Sequence, residues 1–361
     1  MPLPSTDLLR QFSIFLEGNG LRFDDGTKAD ALAAYLSSQI LMFAGPSGTG
    51  KSSLAGALAH FFADRQARIE AEPGLVRPAD LTGYSSALTG RSEFVGTLAL
   101  ERLLALEETT ESPPAVLVEE ANLSPIEGYL GAFTHQLGAL ATRDVTFDLH
   151  REAHDMVSRG NLGLVPPALR LAPYPRLLLT LNVDATAPSP ANKVVARACV
   201  LLLEPPDLNA VFAEPPVDAA TTDVPPASGV AGHPGDCLLA AINAGEDGEL
   251  RDALKSAFAV CGERRVSPRM AYRALQYAAA YRAVVAGTPA LEQHALVDAA
   301  QNALLHFVLP LLDPREFLEV AQLARHAARP GGALARRLDS LPEAGDDLLG
   351  FVADDFWTGL T

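Results

Sequence analysis

Cysteine is scarce in this chain. Its three copies, Cys199, Cys237 and Cys261, are widely spaced and form no C-x-x-C pair. An odd, scattered set argues against a disulfide framework and against a zinc site, and it fits a reducing cytoplasm. Positive charge is also short: 28 Lys and Arg face 44 Asp and Glu, for a formal charge of −16. An acidic surface argues against unaided binding to nucleic acid or anionic membrane, while leaving room for a local basic groove. No apolar run approaches the ~20 residues that span a bilayer, so no membrane association is expected. The opening MPLPSTDLLR lacks a basic n-region and a long apolar stretch, so no secretory signal is expected.

What the chain does have is apolar bulk. Hydrophobic residues make up 48% of 361 positions and charged residues only 20%, enough for a sizeable core and two ordinary domains. Helical and strand-like patterns alternate through the first half, which predicts an α/β domain.

The most informative stretch is Gly45-Pro46-Ser47-Gly48-Thr49-Gly50-Lys51-Ser52, followed by Ser53. It fits G-x-x-x-x-G-K-[ST], a loop that cradles phosphates. Glycines remove Cβ atoms, so backbone N–H groups can turn inward around an anion. Lys51 would reach the β- and γ-phosphates, and the Ser52 hydroxyl would sit on Mg²⁺. The flanks suit the motif. Gln39 to Ala44 reads as a buried strand, and Lys51 to Phe62 as a helix with Leu54, Leu58 and Phe61 on one face. The helix N-terminus adds its dipole to the anion site.

Upstream, about Thr6 to Leu16 and Lys28 to Leu36 read as helices. Downstream, Ala67 to Ala71 predicts a short strand, Val76 to Gly90 a turn-rich surface loop, and Thr97 to Glu108 a helix. Ala115-Val-Leu-Val-Glu119-Glu120 predicts a buried parallel strand that ends in two acids. Nucleotide chemistry in open α/β sheets sits at such strand ends. Glu119 would hold Mg²⁺ through water, and Glu120 would polarise an attacking water; alternatively the strand simply meets solvent there. Pro125 to Leu137 reads as one helix, and 141–171 is mixed. Leu177 to Asn182 predicts a third buried strand, Lys193 to Arg197 a short helix and Cys199 to Leu203 a further strand.

A Pro- and Ala-rich stretch from 205 to 235 reads as a linker. Helical periodicity then returns over 236–242, 250–260, 267–286, 290–312 and 315–329, before an acidic-apolar tail. Four regions result: N-terminal helices packed on the core (1–38), an α/β nucleotide-binding core (39–204), the linker, and a helical lid with the tail (236–361).

These residues in this order resemble the AAA+ ATPases, specifically their dynein-related and McrB-like branch. Besides the phosphate loop, five stretches carry the resemblance. Val76-Arg-Pro…Asp80-Leu-Thr-Gly-Tyr84 is similar to a segment after the second strand, and Val116 to Leu123 resembles Walker B. Thr180 to Thr186 resembles sensor 1, and Lys193-Val-Val-Ala-Arg197 resembles an element carrying a trans-acting arginine. Val266-Ser-Pro-Arg269 resembles sensor 2 at the start of a lid helix.

The resemblance implies a P-loop NTPase parallel sheet sandwiched by helices, the AAA+ core, followed by a small all-α lid. It implies ATP, or GTP, with Mg²⁺ as the nucleotide system and a homo-oligomeric ring. Asn182 would contact the γ-phosphate or the lytic water. Arg197 would reach a neighbour's site, and Arg269 would face the nucleotide from the lid. A separately encoded nuclease is an implied partner, with no sequence-specific nucleic-acid binding by this chain. The pattern departs at three positions: Glu119 replaces the usual Asp, Ala185 the acid after Asp184, and Ala196 the acid before the finger.

Read without the resemblance, Asn182 can merely cap a strand end and Arg197 can be a surface residue. Arg269 can pair with local acids, and Arg264 or Arg265 can take its place. An assembly scaffold with little hydrolysis is the alternative function; a small-molecule kinase leaves the third strand and the lid without a role.

Overall fold

The structure is a computed structural model that describes residues 7–63, 65–87, 93–107, 112–138, 142–160, 162–183, 188–205, 233–262, 266–339 and 356–357. Five all-parallel strands form its centre, in the order β11–β1–β10–β5–β2. They are β1 (Ile40–Gly45), β2 (Gln66–Glu70), β5 (Ala115–Glu119), β10 (Arg176–Asn182) and β11 (Cys199–Leu202). The inner strands are near-continuous apolar runs because both sheet faces are covered. Every residue of β1 and β5 is buried, whereas edge strand β2 alternates buried and exposed.

Helix α1 (Leu8–Gly18) buries Leu8, Leu9, Phe12, Phe15 and Leu16. Phe12 and Phe15 lie against Phe61 of α3 (Lys51–Phe62), with ring centroids 5.1 and 5.3 Å away. Helix α2 (Asp25–Ser37) begins at an Asp24 cap whose carboxylate accepts the Thr27 amide. It packs along the lid helix Pro268–Val285 as well as beside β11.

Two expectations change in the middle of the chain. Val76 to Gly90 was expected as loop. Instead Pro78–Thr82 forms α4, rooted by the Asp80 carboxylate, which accepts the Val76 and Arg77 amides. Its continuation β3 (Gly83–Ser86) pairs antiparallel with β4 (Glu93–Gly96); residues 88–90 lie outside the described residues. The helix expected over 125–137 is two: Ile126–Tyr129 and Gly131–Leu137. The mixed stretch is two small antiparallel pairs. In one, β6 (Val145–Asp148) meets β9 (Ala168–Leu171); in the other, β7 (Met156–Val157) meets β8 (Leu164–Val165).

The C-terminal region, expected as the lid, is helical, with main helices Asp236–Asn243, Asp247–Phe258, Pro268–Val285, Ala295–Phe307 and Pro314–Ala327, then Ala333–Asp339. The periodicity across 290–312 breaks at His294 and again before Leu309, whose turn is a 3₁₀ segment ending at Leu311. Of the tail, Phe356 and Trp357 are described. Both are buried, and the Trp357 indole N–H donates to the Pro310 carbonyl at 3.2 Å. Most of the linker, 206–232, lies outside the described residues, as do Arg264, Arg265, Asp184 and Ala185.

Candidate functional site: a phosphate loop at the carboxyl edge of the sheet

The loop from Gly45 to Ser52 joins the end of β1 to the start of α3, so the helix N-terminus points its free N–H groups into it. Gly48 and Gly50 take left-handed φ of 84° and 86°, which side chains resist. A Cβ on Gly50 would stand 3.0 Å from the Phe23 ring, so the α1–α2 connection lies close over the loop. A Cβ on Gly45 would stand 2.2 Å from the Leu203 carbonyl oxygen, so β11 approaches the loop root directly. The Thr49 hydroxyl donates to the Pro46 carbonyl at 3.0 Å. Ser47 and Gly48 are exposed, Ser52 is half-buried and Ser53 exposed.

Lys51 is buried, and its ammonium donates to the carbonyl oxygens of Gly45 at 2.9 Å and Pro46 at 2.6 Å. Burial pulls its pKa below the ordinary lysine value, and the nearby Glu120 carboxylate opposes that shift. A cation is thus held under the loop with few acidic partners. Phosphate oxygens are the natural exchange for its two carbonyls.

Neighbouring strands deliver the polar ends. Register pairs Gly45 with Asn182, so Asn182 stands beside the loop's first residue. Glu120, immediately after β5, has φ 50° and ψ 41°, a left-handed conformation that costs a non-glycine residue roughly 1 kcal/mol. Its N–H donates to the Thr180 hydroxyl at 3.0 Å. Asn122 then reaches back: its amide donates to the Asn182 carbonyl at 2.8 Å and accepts the Asn182 N–H at 3.2 Å.

Glu119 is buried, but Arg68 of β2 takes its carboxylate. Nε lies 3.0 Å from one oxygen, and Nη2 lies 2.8 Å from each. As a donor set, the Ser52 hydroxyl and the Glu119 carboxylate suit Mg²⁺, a hard cation bound through one or two carboxylates plus substrate phosphates. Among the described residues no cluster of three or more His, Cys, Asp or Glu could hold a metal by itself. The chemistry of the Ser52 and Glu119 donors fits a metal that arrives with a nucleotide.

A cavity of about 840 Å³ opens beside the loop, lined by Gly48, Thr49, Gly50 and Ser53 on the core and by Tyr281, Asn302 and His306 on the lid. That is nucleotide-sized. Its wall at the lid is organised by Asp30 of α2, whose carboxylate accepts from the Tyr277 hydroxyl, from Asn302 at 3.2 Å and from His306 Nε2 at 2.8 Å.

Arg269, expected to face the nucleotide, and Arg197, expected to reach a neighbour's site, both lie away from the loop of their own chain. Arg269 is exposed in the first turn of Pro268–Val285 and does not line the cavity; its lid arginines are Arg329, Arg336 and Arg337. The first turn sets that outcome, because the helix buries Met270 and Arg273 instead. Arg197 is half-buried, lies against Gly138 and donates to the Lys193 carbonyl at 3.1 Å. Register pairs Leu41 with Cys199, so Arg197 enters at the amino edge of the sheet. That is roughly 20 Å along the strands from Gly45, at ~3.3 Å per residue.

Asn122, Thr180, Arg68, Phe23 and Asp30 had no role in the sequence reading. A local signal existed for two of them: Asn122 stands two residues after the acid pair, and Thr180 opens the Thr180–Thr186 stretch. The other three are brought in by strand register or tertiary packing.

No family model matches the chain, and no curated protein matches it. Among solved structures, the chain is similar to one from Cytophaga hutchinsonii described as a "putative ATPase". The two share 15% identity over 88% of this chain and 85% of that one, with a TM-score of 0.43. No helix among the described residues is long and apolar enough to cross a membrane.

Proposed function

We propose that this chain is a Mg²⁺-dependent nucleoside triphosphatase of the AAA+ kind, working as an oligomeric motor or switch on ATP or GTP. The observation that carries the reading is the junction at the end of β1. Lys51 is buried under a left-handed glycine loop, Asn182 is in register with Gly45, and Glu120 lies close enough to act on the Lys51 charge.

The backbone N–H groups of the loop and Lys51 would hold the β- and γ-phosphates. Bound Mg²⁺, met by Ser52 and Glu119, would supply charge neutralisation at the phosphates. Glu120 would accept a proton from water as that water's oxygen bonds to the γ-phosphorus. The bond from phosphorus to the β,γ-bridging oxygen breaks, giving nucleoside diphosphate and phosphate. Asn182 would donate its amide to the γ-phosphate or the water. Arg197, far from its own loop, suits a neighbour's site, where it would neutralise developing charge. A McrB-like role, with a separately encoded nuclease as partner, is the finer form of this proposal. It rests on the order of the sequence motifs.

A second reading, an assembly scaffold with little turnover, is favoured by one observation: the Arg68 grip on Glu119. Light scattering after size exclusion, with and without Mg²⁺ and ATP or GTP, separates the two when released phosphate is measured on the same samples. Assembly with phosphate release supports the motor. Assembly without release supports the scaffold, and neither assembly nor release defeats both.

A further inference from the structure

We propose that Arg68 is a positioning residue that competes with the divalent cation for the Glu119 carboxylate, so that loading the metal requires the arginine to let go. This rests on the triphosphatase reading and adds a regulatory step to the same site.

In the β2–β5 pair, Glu70 stands opposite Glu119 and Arg68 opposite Leu117. Two carboxylates facing each other across a ladder repel. Arg68 lies one step back on the same face and reaches diagonally, spending its Nε and Nη2 donors on the two Glu119 oxygens. The acid is neutralised by a charge-assisted fork, the strongest common side-chain pairing.

The face matters as much as the pairing. A Cβ on Gly56 of α3 would meet Leu117 at 4.0 Å, so Leu117 points to the face that α3 covers. Glu119, two residues on, shares that face. Lys51 and Ser52 start the same helix. The carboxylate is therefore on the side where a metal at the phosphate loop needs it, yet it is turned along the sheet toward the edge strand.

Exposure is unequal between the partners. The Glu119 side chain is 11% exposed and the Arg68 side chain 60% exposed. The acid is enclosed by its surroundings, while the arginine is a long arm lying on an edge strand. Its backbone stays anchored, because Arg102 donates to the Arg68 carbonyl. A dication with its water shell can take the carboxylate oxygens by displacing the arm into solvent without moving the strand. While the arm is in place, the carboxylate presents little net charge to a cation.

The test reads metal affinity directly, with Mn²⁺ as the probe. Mn²⁺ binding to the full chain holding a non-hydrolysable ATP analogue is followed by electron paramagnetic resonance, and by GTP-analogue titration in parallel. Hydrogen bonds to charged groups are of modest net strength, so Arg68→Gln is expected to tighten Mn²⁺ about three- to tenfold. Glu119→Gln is expected to weaken it, and adding Arg68→Gln to Glu119→Gln to change nothing more. Arg68→Lys, which keeps the charge without the fork, should fall between wild type and Arg68→Gln. Circular dichroism melts check that each variant folds. Unchanged or weaker Mn²⁺ binding in folded Arg68→Gln overturns the proposal. So does an equal gain in the Glu119→Gln background, since the effect would then be general charge. If neither nucleotide analogue binds the wild-type protein, with or without metal, the triphosphatase reading itself fails and takes this proposal with it.

Discussion

The Asn122 side chain holds the backbone of Asn182 by both its N–H and its carbonyl, at 3.2 and 2.8 Å. The amide of Asn122 also lies 3.3 Å from the Pro188 carbonyl. One short polar side chain thereby ties the turn after β5 to the end of β10, and with it the two strand ends that carry Glu120 and Asn182. Asn122→Ala should cost about 1–3 kcal/mol of stability, the usual loss when buried backbone groups are left unpaired. Turnover should fall further, on the order of 10²-fold, because small displacements of positioned groups are expensive. Nucleotide affinity should hold. Urea melts, nucleotide titration and phosphate release on one preparation check all three.

Lys51→Ala removes the cation beneath the loop. Nucleotide binding should fall by at least about a hundredfold, from the loss of charge-assisted bonds to phosphate. The fold should survive, since burial already disfavours the charged amine. Equilibrium dialysis with labelled ATP and GTP, beside a thermal melt, checks both. Loss of folding would mean that Lys51 serves structure first.

The root of the loop tolerates no side chain. In Gly45→Ala the new methyl would stand 2.2 Å from the Leu203 carbonyl, a backbone atom of the adjoining segment. Separating β1 from the β11 end should cost at least ~1–3 kcal/mol, as overpacking does elsewhere. Gly48→Ala meets nothing within 4 Å and carries only the left-handed backbone cost of ~1 kcal/mol. Denaturant midpoints of the two variants should rank in that order.

Asp30 seats the lid. Removing its carboxylate leaves the Tyr277 hydroxyl, Asn302 and His306 donors without their shared acceptor. Asp30→Ala should therefore lose about 3 kcal/mol or more. Hydrogen exchange should rise along Pro268–Val285 and Ala295–Phe307 before it rises in the central sheet. Uniform exchange through the central sheet and the C-terminal helices would show that α2 and those helices are not joined in this way.

Acid should loosen the base of the β3–β4 hairpin at an unusually low pH. The Arg77 side chain, together with the Arg77 and Val76 amides, holds the Asp80 pKa down to about 2. A depressed carboxyl pKa contributes stability above its ordinary value of 3.8, and that contribution is lost as pH falls through about 2. Carboxyl NMR should give an Asp80 midpoint near 2 that moves upward in Arg77→Ala.

How much of this was legible in the sequence follows from the range of each signal. The central strands and α3 are continuous apolar runs or 3.6-residue patterns, so their bounds came out within a residue or two. The phosphate loop is contiguous, so its motif is visible residue by residue in the sequence. Local signals failed where a weak helix breaks, as at Leu130, and where short strands depend on a distant partner, as in 145–171. At the site, the acid pair was visible but not its ligation. Arg68 is 51 positions from Glu119 and meets it only because β2 and β5 are neighbours in the sheet. Arg269 fits a motif yet faces outward, because motif spacing does not fix which turn of a helix meets the cavity.

The central claim is that the loop and the acid behind it hydrolyse a nucleoside triphosphate. Bound nucleotide and released phosphate, measured together on wild type and Glu120→Gln, test it most directly. Both proteins should bind Mg²⁺-ATP or Mg²⁺-GTP with similar affinity, and only the wild type should release phosphate at an appreciable rate. Equal phosphate release from the two, or none from the wild type under conditions where it assembles, would contradict it.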